Sequence, residues 1–176
     1  MILPDVNVLV YAFRSDVEHH DEHRIWLEGV VNGETAYGMS PQVLASVIRL
    51  ATHPRIFAHP SRLTEVLAFV SVLLDQPHCQ IIEPGRRHWD IFTRLCQSAN
   101  AYGNLIQDAW LAALAIESGC EWITNDHQFG LSHRHPHRRD DRNPNRNEML
   151  IHLFSIRCFA TAQRSRSRLA KLPDGR

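Results

Sequence analysis

A chain in which brief apolar runs alternate with helix-length amphipathic stretches has few ways to fold, and residues 1–130 alternate in this way throughout. Met1 to Pro4 reads as a strand that runs straight into Asp5. Val6 to Phe13 fits two classes, since its valines favour a strand while an apolar run of this length also suits a buried helix. His20 to Val31 carries Ile25, Trp26, Val30 and Val31 as a helical stripe, and Thr35 to Met39 is strand-like. Ser40-Pro41, an N-cap followed by proline at the first helical position, opens a helix through Ala51 that stops near His53-Pro54. Ser61 is the expected cap of a further helix ending at Leu74. Cys79 to Ile82 is a strand and Arg86 to Ala99 an amphipathic helix. Asn104 is expected to cap Leu105 to Ser118, Gly119 to stop it, and Glu121 to Thr124 to form the last strand. Strands separated by helices of this length imply a parallel sheet with helices on both faces. The expected fold class is α/β.

The pattern breaks after Phe129-Gly130. No apolar residue occurs between Leu131 and Met149, and Ser132 to Arg146 is dominated by Arg, His, Pro and Asp. Such a segment cannot bury enough surface to fold alone. The expected organisation is one domain over 1–130 and an irregular basic tail over 131–176, with a short helix near 148–160. Charge divides at the same place. The whole chain balances 19 Lys+Arg against 19 Asp+Glu, but residues 1–130 hold 8 against 15 and residues 131–176 hold 11 against 4. The parts therefore carry −7 and +7, and an acidic body makes a broad basic groove for nucleic acid an unfavoured reading. No apolar run approaches the ~20 residues of a membrane span. The start meets an acid at once and lacks a basic secretory leader. Cys79, Cys96, Cys120 and Cys158 have no paired spacing, so they read as thiols of a cytoplasmic protein.

Parallel α/β sheets bind ligands beyond the carboxyl ends of their strands. Asp5 follows the first strand, and Asp126 stands two residues past Thr124. Asp108 interrupts the most apolar helix of the chain, at a depth where complementing the helix dipole no longer explains it. Either strand-end acid alone also suits a turn. The three together suit a divalent cation, and an oxygen-only donor set favours magnesium or manganese over zinc.

Several segments resemble one family. Pro4-Asp5-Val6-Asn7-Val8-Leu9-Val10-Tyr11-Ala12 is similar to the opening of PIN-domain ribonucleases. Arg49 to Phe57, Pro84 to Trp89, Gly103 to Ala109 and Ile123-Thr124-Asn125-Asp126 follow in the order seen in VapC toxins of type II toxin–antitoxin pairs. The resemblance covers residues 1–130. It implies a PIN-like three-layer α/β/α fold and a Mg²⁺-dependent endoribonuclease, with Mn²⁺ as the other candidate ion. Asp5, Asp108 and Asp126 match the family's metal-binding acids, with Asn7 and Thr124 as polar neighbours. The cation would polarise the scissile phosphate and acidify a water for in-line attack. It also implies an RNA substrate, a cognate antitoxin and a homodimer.

Three departures stand out. The family's glutamate falls at Ser46, a further acid falls at Gln128, and 46 residues follow Gly130 whose composition suits no strand. Fewer carboxylates hold less positive charge, so one ion is expected rather than two. Ser46 and Gln128 also define the alternative, a catalytically impaired PIN-like module that binds antitoxin or RNA without cutting it. No nucleophile–base set for covalent catalysis is evident. Among the remaining features, Pro136 argues against a strand that would align His133, His135 and His137. His19, His20 and His23 suit a solvated helix face. Trp26, Trp89 and Trp110 suit core or interface positions. Arg55, Arg86 and Arg87 are the basic residues of the body with phosphate-binding potential.

Overall fold

A computed structural model of the chain describes residues 1–124 and 156–158. Among these residues five strands form one sheet: β1 (Ile2–Pro4), β2 (Tyr37–Met39), β3 (Cys79–Ile81), β4 (Glu121–Thr124) and β5 (Ile156–Cys158). Their order is β3-β2-β1-β4-β5, and every pairing is parallel. Among the described residues six helices accompany them: α1 (Val6–Phe13), α2 (His20–Val31), α3 (Pro41–Ala51), α4 (Leu63–Leu74), α5 (His88–Ala99) and α6 (Asn104–Ser118).

The chain steps one way from β1 through β2 to β3, then returns across the sheet to β4. Right-handed crossovers therefore place α1–α4 on one face and α5–α6 on the other. The packing agrees: α1 lies against α2 and α3, α3 against α4, and α5 against α6. The direction of winding reverses between β1 and β4, which makes their carboxyl ends the switch point of the sheet.

Val6–Phe13 resolves as a helix. Val8, Leu9, Val10 and Ala12 are buried, and the main-chain amide of Val6 donates to the Asp5 carboxylate at 2.7 Å. Valine disfavours helix by only a few tenths of a kcal/mol, well below the about 1.5–3 kcal/mol that burying one such side chain returns. The stripe of α2 is rotated from the expected one. Ile25 is 60% exposed, while His23 joins Trp26, Leu27, Val30 and Val31 inside. His23 is 2% exposed, with its ring edge-on to Tyr11 and Nδ1 at 2.7 Å from the carbonyl of His19. It is a core residue and not part of a solvated face. At α4 the N-cap is Arg62, whose amide donates to Glu65 at 3.1 Å; the Ser61 hydroxyl is engaged elsewhere. Gly103 and Gly119 bracket α6 with positive φ of 55° and 65°, conformations that side-chain-bearing residues rarely adopt.

The end of the chain corrects the composition-based expectation. Ile156–Cys158, placed by sequence in a short helix within an irregular tail, forms β5 and pairs with β4 from Trp122↔Ile156 to Thr124↔Cys158. A strand needs only a few residues to satisfy its main chain once an open neighbour exists, and helix-forming composition does not register that opportunity. Truncation after residue 131 is accordingly expected to lower Tm by about 3–6 °C, the loss of two or so ladder hydrogen bonds in a domain of this size. A scanning-calorimetry trace matching the full chain would show that β5 contributes nothing.

Candidate active site

Asp5 is held from three sides at the switch point. Its amide donates to the carbonyl of Ile123 on β4 at 2.8 Å. One carboxylate oxygen accepts from the Val6 amide, and the other accepts from the Thr124 hydroxyl at 2.9 Å. Asp5 is 6% exposed and Thr124 is fully buried. The positive end of α1 favours a carboxylate there, and the Thr124 bond fixes its rotation. Asn7, in the first turn of α1, is half-buried.

Asp108 is the fifth residue of α6 and half-buried. Because α6 passes through only Gly119 and Cys120 into β4, its C-terminus lies at the amino edge of the sheet. The helix thus runs against the strands, and its first half, with Asp108, lies toward the carboxyl edge where Asp5 and Thr124 meet. Asp126 lies outside the described residues, as do Gln128 and the His133, His135 and His137 series. Among the described residues no three His, Cys, Asp or Glu side chains are grouped to hold an ion. The donor chemistry nevertheless suits a hard cation: a buried carboxylate, oriented by a hydroxyl and an amide, with a second acid, Asp108, in the first half of α6. Ser46 is half-buried on α3, where no carboxylate takes the place of the family's glutamate.

The arginines of Pro84-Gly85-Arg86-Arg87 stand elsewhere. Glu117 accepts from the amides of Gly85 at 2.7 Å and Arg87 at 2.8 Å, pinning that loop to the far end of α6. Burial would raise the Glu117 carboxyl, but those two amides, with His88 and Arg87, outweigh it and hold it below its ordinary value. Nine residues of helix separate Glu117 from Asp108, about 13 Å along the axis. Arg86 and Arg87 are therefore remote from Asp5 and Asp108. Trp89 is 62% exposed rather than core, whereas Trp26 is buried and Trp110 packs on His88 and Phe92. Cys79, Cys96 and Cys120 are free thiols, and burial pushes the first two above their usual pKa.

Two features escape sequence reasoning. Arg14, 6% exposed, grips Asp16 through two nitrogens, at 2.8 and 2.5 Å. It also donates to the Ser61 hydroxyl and to the carbonyl of His59, and its guanidinium lies 3.8 Å over the Phe57 ring. This latch ties the end of α1 to the segment before α4. Its only signal in sequence is an isolated arginine beside an aspartate. The second is the burial of Ser40, which stands at the expected N-cap of α3 but is 2% exposed and makes no side-chain capping bond.

The sequence matches the PIN domain family over residues 2–131. It is 39% identical over 140 residues to the VapC ribonuclease Mb2897 of Mycobacterium bovis, an alignment covering 77% of this chain and 95% of that protein. It is 40% identical over 129 residues to ribonuclease VapC31 of Mycobacterium tuberculosis, covering 73% and 91%. Among solved structures it resembles a chain in the crystal structure of VapBC2 from Rickettsia felis bound to a DNA fragment from their promoter. That match has a TM-score of 0.53 and 21% identity, and covers 73% of this chain and 91% of that one. Among the described residues no helix is long and apolar enough to cross a membrane.

Proposed function

We propose, from the premise that this chain belongs to the PIN-domain family, that it is a VapC-type toxin: a Mg²⁺-dependent endoribonuclease that hydrolyses RNA phosphodiester bonds. The observation that carries this reading is Asp5, buried at the switch point and locked by Thr124, in a chain that spans almost the whole of its ribonuclease relatives. Asp5, Asp108 and Asp126 are the residues that would hold the ion, with Mn²⁺ as a substitute. When bound, a divalent cation supplies Lewis-acid polarisation of the phosphate and lowers the pKa of water beside it. The chain's own part is orientation. Thr124 and the Val6 amide each occupy one side of an Asp5 oxygen, leaving its remaining lone pairs directed by that constraint. Asp108 lies in the first half of α6, in the opposite layer, and acids not engaged by the ion would orient the attacking water for in-line approach. With serine at position 46, one ion fits the charge of the site better than two.

A cognate antitoxin, a homodimeric state and a cytoplasmic location accompany this reading. The similarity to a chain from a VapBC complex supports the antitoxin. Ser46 favours a second reading, an impaired PIN-like module that binds antitoxin or RNA without cutting. Incubating the purified chain with a mixed RNA pool and Mg²⁺ separates the two. Cleavage is expected, EDTA should stop it, Mn²⁺ should restore it, and Asp5→Asn should reduce it by at least about a hundredfold, since an ion site rarely tolerates loss of an oriented carboxylate. RNA left intact by the parent protein would favour the binding module.

A further inference from the structure

Trp89 is 62% exposed, whereas Trp26 and Trp122 are buried. So large an apolar ring is normally covered by a core or an interface. Trp89 lies in the first turn of α5, and its ring rests on Phe92 with centroids 5.4 Å apart. Phe92 leans in turn on Trp110 at 5.2 Å. The indole is thus supported on one side and open to water on the rest. Arg86 and Arg87, both exposed, directly precede α5. The acid beside them does not take up their side chains. Glu117 commits one carboxylate oxygen to the Gly85 amide and the other to the Arg87 amide. A Cβ at position 85 would lie 2.6 Å from Glu117 Oε1, so glycine is what permits this grip. Arg14 and Arg24 are paired with acids, but the guanidinium groups of Arg86 and Arg87 make no hydrogen bond or ion pair among the described residues. Arg87 acts on Glu117 through its charge alone.

We infer that Arg86, Arg87 and Trp89 form a platform for single-stranded RNA, the indole stacking on a base and the guanidinium groups meeting the phosphates beside it. The inference rests on the ribonuclease reading above and adds a substrate subsite to it. An aromatic face with cations next to it holds unpaired strands without reading their sequence. The surroundings favour RNA over a protein partner. Tyr102 and Ile106, also exposed, lie at the opposite end of the α5–α6 hairpin. A lone indole among charges lacks the continuous apolar centre that a protein interface buries. Glu83 and Asp90, both exposed, flank the platform and keep its positive charge local. Its distance from the chemistry suits a strand. Glu117 and Asp108 stand about 13 Å apart along α6, the length of about four stacked nucleotides at about 3.4 Å each. The three are positioning residues, holding the strand and taking no part in bond making.

The test is binding of a fluorescein-labelled 12-nucleotide RNA to the full chain, followed by anisotropy in EDTA so that nothing is cut. Trp89→Ala should weaken binding about tenfold, as for loss of one base stack, and Trp89→Phe should restore it to within about threefold. Unlabelled RNA should quench tryptophan emission in the parent and do so far less in Trp89→Phe. Arg86→Ala combined with Arg87→Ala should flatten the slope of log affinity against log salt by about 1.4, the share of two phosphates on a single strand. Trp89→Ala should leave that slope unchanged. With Mg²⁺, KM should rise by about tenfold in Trp89→Ala while kcat changes less than about twofold, the signature of lost ground-state binding. Each variant should melt within about 3 °C of the parent, because the side chains are exposed and Glu117 grips only main chain. If Trp89→Ala melts far lower, the arginine pair decides, and an unchanged salt slope there overturns the platform. Unchanged RNA affinity in Trp89→Ala overturns it, as does a parent that holds no RNA in EDTA. A Trp89→Ala chain that falls from dimer to monomer in sedimentation equilibrium also overturns it, by placing the indole at a contact between copies. The two readings fail separately. A parent that binds RNA through Trp89 without cutting sinks the nuclease and keeps the platform. A parent that cuts, with Trp89→Ala its equal, does the reverse.

Discussion

Asp108→Asn is expected to abolish RNA cleavage and the stabilisation by Mg²⁺ together, while leaving the ion-free protein as stable as the parent or slightly more so. Acids gathered at one edge without a cation repel one another, and the repulsion is relieved either by an ion or by removing a charge. Asparagine removes the charge at nearly constant shape. In the parent, Mg²⁺ at a hundred times its dissociation constant should add about 2.7 kcal/mol by mass action, and this increment should vanish in the variant. Thermal melts with and without Mg²⁺ measure it directly. The control must be an acid outside both the site and the structural ion pairs. Asp16 does not qualify, because it is gripped by Arg14. Glu34→Gln, on the exposed turn before β2, does. A full metal shift in Asp108→Asn would move the ion site away from α6 and take the catalytic assignment with it.

Arg14→Ala should destabilise the fold by about 2–4 kcal/mol, because a buried guanidinium loses several hydrogen bonds at once and leaves Ser61 and the His59 carbonyl without their donor. At about 2–4 °C per kcal/mol for a domain of this size, Tm should fall by about 4–16 °C. The partner acid responds to pH in a defined direction. The hydrogen bond from Arg14 holds the Asp16 carboxyl below its ordinary value of 3.8 in the fold, so its stabilising effect is present above that value and is lost as pH falls through the lower, folded one. Asp16 is half-exposed, and solvent screens much of the effect. Asp16→Asn should therefore cost less than Arg14→Ala, and its deficit relative to the parent should shrink between pH 7 and pH 3. Equal melting of Arg14→Ala and parent would mean that the Phe57–Ser61 segment is anchored without the latch.

What sequence determined by itself is the local grammar and its consequence. The element types of residues 14–124, the parallel pairing, and the placing of Asp5 and Thr124 at strand ends all follow from periodicity, capping residues and crossover length, which act over a few residues. What only the tertiary structure decided depends on partners far along the chain. Val6–Phe13 is a helix because other elements cover it on nearly every side. His23 is core and Ile25 is not, a rotation of less than a quarter turn that depends on where α1 lies. Arg14 is a latch because Phe57, His59 and Ser61 come to it across more than forty residues. Ile156–Cys158 is a strand because β4 offers an open edge. Hydrogen bonding and burial are satisfied by whichever group arrives, and the order of residues does not record which group that is.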